Sequence, residues 1–244
     1  MPQSFFVWNG IDCRAMGITM RGPAPIIRPE ERVKHKQIPG VSGDLTETEG
    51  ENIYNSYIQT VSFSVTGGYR VSEVYKWLRG AGYVTFSGEP DKKQAARVIG
   101  AITLNRISRN MDRWSGEAQF YCQPLKERLS EVAEAVTPSG STIRNNGDVI
   151  SRPLIKVVVS GGTGFGIAIS GTGTPSVNGI TASGLTNGST YWLDSETMEM
   201  LNNDQTQILT AKTTGNFPVL GIGSNVVTFA GLSSVEILKR ERYL

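Results

Sequence analysis

A serine hydrolase relay needs an imidazole held between a nucleophile and a carboxylate. The chain has one histidine, His35, set between Lys34 and Lys36 in a charged stretch, so that ring reads as a solvated surface group. Zinc chemistry is equally short of ligands. A zinc site takes about four Cys, His or carboxylate donors in close array, and Cys13 and Cys122 lie far apart with no CxxC pair. They read as two small buried thiols. A disulfide between them requires Cα atoms within about 7 Å, which spacing leaves open.

Carboxylates cluster in YWLDSETMEM, residues 191–200, where Asp194 and Glu196 would share one face of a strand. A retaining glycosidase pair needs carboxyl groups about 5–5.5 Å apart in unlike environments. The pattern instead places these side chains in water around a hairpin turn at Ser195-Glu196. The glycine-rich run SGGTGFGIAISGTG, residues 160–173, lacks the Gly-Lys-Ser/Thr ending of a phosphate loop and leads into alternating β sequence. No helix N-terminus is therefore offered to a phosphate. The tryptophans, Trp8, Trp77, Trp114 and Trp192, are dispersed and read as core or interface anchors. The candidate sugar contact is Tyr191, Trp192 and Asp194, two rings to stack and one carboxylate to accept from hydroxyls.

The elements that position these residues are mostly strands. Residues 4–8 are β-prone, Asn9-Gly10 is a strong turn signal, and residues 12–20 suggest a returning strand. Residues 21–50 are rich in Pro, Gly and charge, with a stretch at 30–38 that could pair as an exposed strand; so polar a segment builds no core and reads as a functional arm or a connection. In residues 57–65, Tyr57, Gln59, Val61, Phe63 and Val65 alternate onto one face. Helical spacing follows, with Val71, Val74, Tyr75 and Leu78 on one side, Trp77 at its edge, Ser72 as N-cap and Gly80 as the residue past the end. Strands are expected at 83–86, 95–107 and 113–121, and weak helical periodicity at 125–136.

Composition changes near residues 137–141, where the boundary between domains 1–136 and 137–244 is placed. Beyond it charge is scarce and Gly, Ser, Thr and Asn multiply. Short apolar runs at 154–159, 165–169, 189–193, 207–209, 226–229 and 234–238, with turn residues between, indicate a β-sandwich without a long helix.

Charge bounds the partners. Lys and Arg total 24 against 22 Asp and Glu, a net charge of +2. No basic stripe with interleaved aromatics suggests tight DNA binding. No apolar run approaches the roughly 20 residues that cross a membrane. The opening MPQSFFVWNG lacks the regions of a secretory signal, so the expectation is a chain held in a cytoplasm until it is assembled.

The order of motifs resembles the distal tail protein family of long-tailed phages. The resemblance rests on FFVWNG at 5–10, IPGVSGDL at 38–45, YVTFSGEP at 83–90 and QFYCQP at 119–124. It continues through NNGDVISRPLIKVVVSG at 145–161, YWLDSETMEM, and FPVLGIGSNVVTFAG at 217–231. Each is only a strand and a turn, but their sequence spans nearly the whole chain. The family's PG loop carries Arg next, whereas here Pro39-Gly40 is followed by Val41.

The resemblance implies a mainly β structural protein that is not an enzyme and needs no cofactor. Its first domain would be barrel-like, tail-tube-like, with one short α-helix. The second would be a galectin-like or carbohydrate-module-like sandwich. Six copies would form a ring in the virion, joining the tail tube protein to the tip, lysin or baseplate protein, with DNA only passing through. Arg28, Arg32, Lys34, Pro39, Gly40 and Leu45 are the expected subunit or partner contacts. Alternative readings are an adhesion module for host cell-wall glycan and another tail component such as the tube protein.

Overall fold

The computed structural model describes residues 4–48, 50 and 53–244. Position 49, inside the polar stretch, lies outside the described residues. The chain is mainly β and folds as two compact units, residues 1–129 with Leu244, and 130–243.

In the first unit, β1 (Phe6–Trp8) meets β2 (Ile11–Asp12) across Asn9-Gly10, with Trp8 opposite Ile11. Both turn residues have positive φ, 50° and 80°, which Asn and Gly tolerate and which matches the twist of a two-residue hairpin. The returning strand expected over 12–20 stops at once. The Asp12 carboxylate accepts from Arg14 N at 2.8 Å, opening a 3₁₀ turn over Cys13–Met16, and Gly17 reverses the chain at φ 71°. β3 (Ile18–Met20) then pairs elsewhere.

Next come β4 (Val33–Gln37) and β5 (Asp44–Thr48), an antiparallel hairpin separate from the main sheet. β6 (Tyr57–Thr66) shows the expected alternation, with Gln59, Val61, Phe63 and Val65 buried. The helix α1 (Val71–Trp77) is followed by β7 (Ala81–Phe86), β8 (Lys92–Ile99), β9 (Leu104–Ser108) and β10 (Met111–Arg128). The main sheet runs β2-β1-β7-β8-β10-β6-β3, and β9 pairs with the first part of β10. Its core centres on Phe120, whose ring lies 5.6 Å from Phe6, 5.3 Å from Trp8 and 6.0 Å from Phe86.

Several local expectations are corrected. Arg70, not Ser72, precedes the helix, which continues a 3₁₀ turn and has no side-chain cap. Leu78 caps its end, and Gly80, at φ 76°, lies one residue beyond the expected place. Val74 and Leu78 are buried as expected, but Tyr75 is 41% exposed. Trp77 fills that role, stacking on Phe6 at 5.6 Å and donating Nε1–H to Trp8 O at 3.2 Å. Each such side chain removed from water is worth roughly 1.5–3 kcal/mol. The strand expected over 95–107 is two, interrupted at Gly100, φ 71°. No helix forms over 125–136. β10 continues past Pro124, because the missing N–H falls where the β8–β10 register slips between Cys122 and Lys126.

The second unit contains β11 (Glu134–Ala135), β12 (Ser141–Asn145), β13 (Leu154–Val159), β14 (Phe165–Gly171) and β15 (Gly179–Ala182). It continues with β16 (Thr190–Asp194), β17 (Glu199–Asn202), β18 (Thr213–Gly215), β19 (Gly223–Ala230) and β20 (Leu232–Leu238). Two five-stranded antiparallel sheets result, β11-β20-β13-β16-β17 and β12-β19-β14-β15-β18. Ile155, Val157, Ile167, Ile169, Leu193 and Ile237 from both sheets share one core, which makes the unit a sandwich. Residues 207–209 contribute only an isolated bridge, Leu201 to Ile208, instead of a strand.

Candidate functional site

The polar stretch has built a projecting element. β4 and β5 pair Val33 with Thr48, Lys34 with Glu47, His35 with Thr46, Lys36 with Leu45 and Gln37 with Asp44. Apart from half-buried Val33, every residue of the two strands is exposed. The hairpin's root is tied down: Arg32 N donates to Ile53 O at 2.9 Å, Asn55 N to Glu30 O at 2.7 Å, and Arg32 Nε to Asn55 Oδ1 at 3.2 Å. Two strands without a buried apolar face are marginal alone, and these two bury only part of Val33.

The expected contact residues occupy distinct parts of the arm. Arg28 is exposed before the root, Arg32 is in the root, and Lys34 lies on β4 opposite Glu47. Pro39 and Gly40, the latter at φ 84°, form the exposed tip. Leu45 is 46% exposed, and Ile38 and Val41 beside the tip are 43% and 61% exposed. Three apolar side chains thus stand in water at one end of a charged ribbon. His35 is exposed as expected, its Nδ1 3.2 Å from Thr46 Oγ1.

A second surface was not singled out by the sequence. β9 is an edge strand: its one pairing among the described residues is with β10, which β6 flanks on the other side. Ile107 and Met111 are 46% and 59% exposed there, beside the exposed residues Arg106 and Arg109. The signal available was the break at Gly100, which turns one long expected strand into a body strand and an edge.

On the sandwich, the three sugar-contact candidates separate. Tyr191 is 7% exposed in the core, its hydroxyl accepting from Thr186 N at 3.1 Å. Trp192, the next residue, points to the opposite face, with Nε1–H donated to Asn203 O at 3.1 Å and Lys156 Nζ 5.7 Å from the ring centre. Neighbours on a strand cannot form one stacking platform. Asp194 is engaged as well: Glu196 N donates to it at 2.9 Å, and Arg240 donates through two nitrogens at 2.6 and 2.9 Å. Burial pushes the Asp194 carboxyl up, but Arg240 and those N–H groups outweigh it and hold it below the usual carboxylate range. Glu196 pairs with Arg242 at 2.8 Å. The carboxylates flank the turn as expected and are bound in ion pairs.

The two thiols are free and fully buried. Burial pushes Cys122 up to about 12 and raises Cys13 too, so neither is a nucleophile at neutral pH.

No protein-family model and no curated protein matches the chain. Solved structures do. The Dit protein of phage SPP1, described as a paradigm of the hub adsorption apparatus in phages infecting Gram-positive bacteria, aligns with TM-score 0.79 at 18% identity, over 99% of this chain and 99% of that one. A chain of the phage P2 baseplate in its activated conformation with Ca gives TM-score 0.53 at 7% identity, over 100% and 99% of the two chains. The same baseplate with Sr gives 0.52 at 8%, over 96% of each. Across both units, then, the chain carries the fold of a phage distal tail protein.

Proposed function

We propose that the chain is a structural protein of a phage tail tip, assembled in the host cytoplasm and carried in the virion. Six copies form a ring that links the distal end of the tail tube to the tip or baseplate proteins and leaves a channel through which DNA passes. The observation that carries this reading is the likeness to the SPP1 hub protein over the full length of both chains, since a shared domain alone would leave the architecture open. Two features of this chain support it. The arm of residues 33–48 is exposed and has no core of its own, which suits a head-to-tail contact that closes by rotation. The near-balance of charge, 24 against 22, keeps a conduit from accumulating phosphate contacts, each of which would add salt-sensitive affinity.

The test is assembly. Light scattering and electron microscopy of the purified chain, alone and with the adjoining tube protein, are expected to show sixfold rings. A lasting monomer with no affinity for tube or tip proteins would overturn the reading.

A further inference from the structure

The arm and the β9 edge carry complementary patterns, and both belong to the first unit. β5 presents Asp44 and Glu47, three residues apart, around exposed Leu45. β9 and the turn after it present Arg106 and Arg109, also three residues apart, around exposed Ile107. β5 has β4 on one side and β9 has β10 on one side; among the described residues each has an open second edge. An open edge with exposed apolar residues is a template for another strand.

We infer that β5 of one copy adds to β9 of the next, antiparallel, with Glu47 opposite Arg106. This rests on the ring reading above and names the surface the arm meets. The register places Thr46 opposite Ile107 and brings Asp44 to the end of β9, beside Arg109 in the turn that follows. Leu45 and Glu47 then share one face and Asp44 and Thr46 the other, because side chains alternate along a strand. The backbone N–H and C=O groups of two open edges supply affinity, and the two charge pairs fix the register. The occupant is a second copy of this chain because both halves of the pattern are present in it, and a head-to-tail pairing of unlike patches leaves one of each free to continue the ring.

The experiment uses the full chain. Thr46→Cys combined with Ile107→Cys is expected to give intermolecular disulfides, since paired strands bring Cα atoms within about 4.5–5.5 Å. Glu47→Arg alone and Arg106→Glu alone are each expected to weaken assembly by about tenfold, a loss the double exchange restores. If rings form but the 46/107 cysteines stay unlinked and the exchange restores nothing, the edge assignment is wrong while the ring stands. If the unaltered chain never assembles, with or without tube protein, both fall.

Discussion

Arg240 holds Asp194 end-on, Nη1 to Oδ1 at 2.6 Å and Nη2 to Oδ2 at 2.9 Å, with 25% and 14% of the two side chains exposed. The pair ties the segment after β20 to the β16–β17 turn. Glu131 completes the fastening by accepting from Arg240 N at 2.9 Å and Glu241 N at 2.7 Å, where Arg240 takes an uncommon positive φ of 52°. Arg240→Ala is expected to cost the second unit about 1–3 kcal/mol in urea unfolding. Because the Asp194 carboxyl is depressed in the fold, its contribution is present above the ordinary carboxylate pKa near 4 and fades as pH falls through the lower, folded value. The variant should therefore lose less stability than the parent on acidification below about pH 4. Equal acid sensitivity would show the pair to be inert.

This fastening illustrates what the sequence hides. Asp194 was visible as a carboxylate near a turn, but its partner lies 46 positions later, and nothing local in KRER marks which charge meets which. Tyr191 was visible as an aromatic residue, and only the register of β16 assigns it to the core. Features set by near neighbours were legible: the Asn9-Gly10 turn, the alternation of β6 and the exposed pairing of 33–37. Elsewhere tertiary pairing overrides local pattern. The strand expected over 113–121 stops short of Pro124, yet β10 runs on to Arg128 with its register slipping beside that proline. Tyr75 looked like core, yet two turns of helix bury Val74, Leu78 and the side of Trp77 instead.

Glu89 in the first unit sits between two ammonium groups, 2.6 Å from Lys92 Nζ and 2.6 Å from Lys126 Nζ, and the Lys126 side chain is only 7% exposed. Burial raises the Glu89 carboxyl, but the two lysines prevail and hold it below its ordinary value. Glu89→Gln removes the carboxylate from a nearly buried ammonium and leaves Lys126 Nζ donating to Leu244 O at 3.1 Å. The expected loss is about 3–5 kcal/mol in the first unit. A Tm unchanged for that unit would mean that Leu244 O and water satisfy Lys126 without the carboxylate.

The thiols provide a test of core integrity that is independent of charge. With Cys122 pushed up to about 12 and Cys13 also raised, and neither exposed, a disulfide-exchange reagent at pH 8 should label none in the folded chain and both in denaturant. Intact mass should be the same with and without reductant. Rapid labelling of Cys122 in the native chain would show that the sheet opens beside the bulge between Cys122 and Lys126.

The arm makes the sharpest separation between folding and assembly. Its residues 34–37 and 44–48 are exposed, and they contribute nothing to the buried core that holds Phe6, Trp8 and Phe120. Replacing residues 33–48 by a short Gly-Ser link, with the root at 30–32 and 53–55 kept, should leave both unfolding transitions within about 1–2 °C of the parent. Ring closure should be lost or require much higher concentration, because the link removes Ile38, Val41 and Leu45 together with the open β5 edge. A lowered Tm would mean the hairpin packs on its own body; an unchanged Tm with unchanged rings would remove the arm from the assembly altogether.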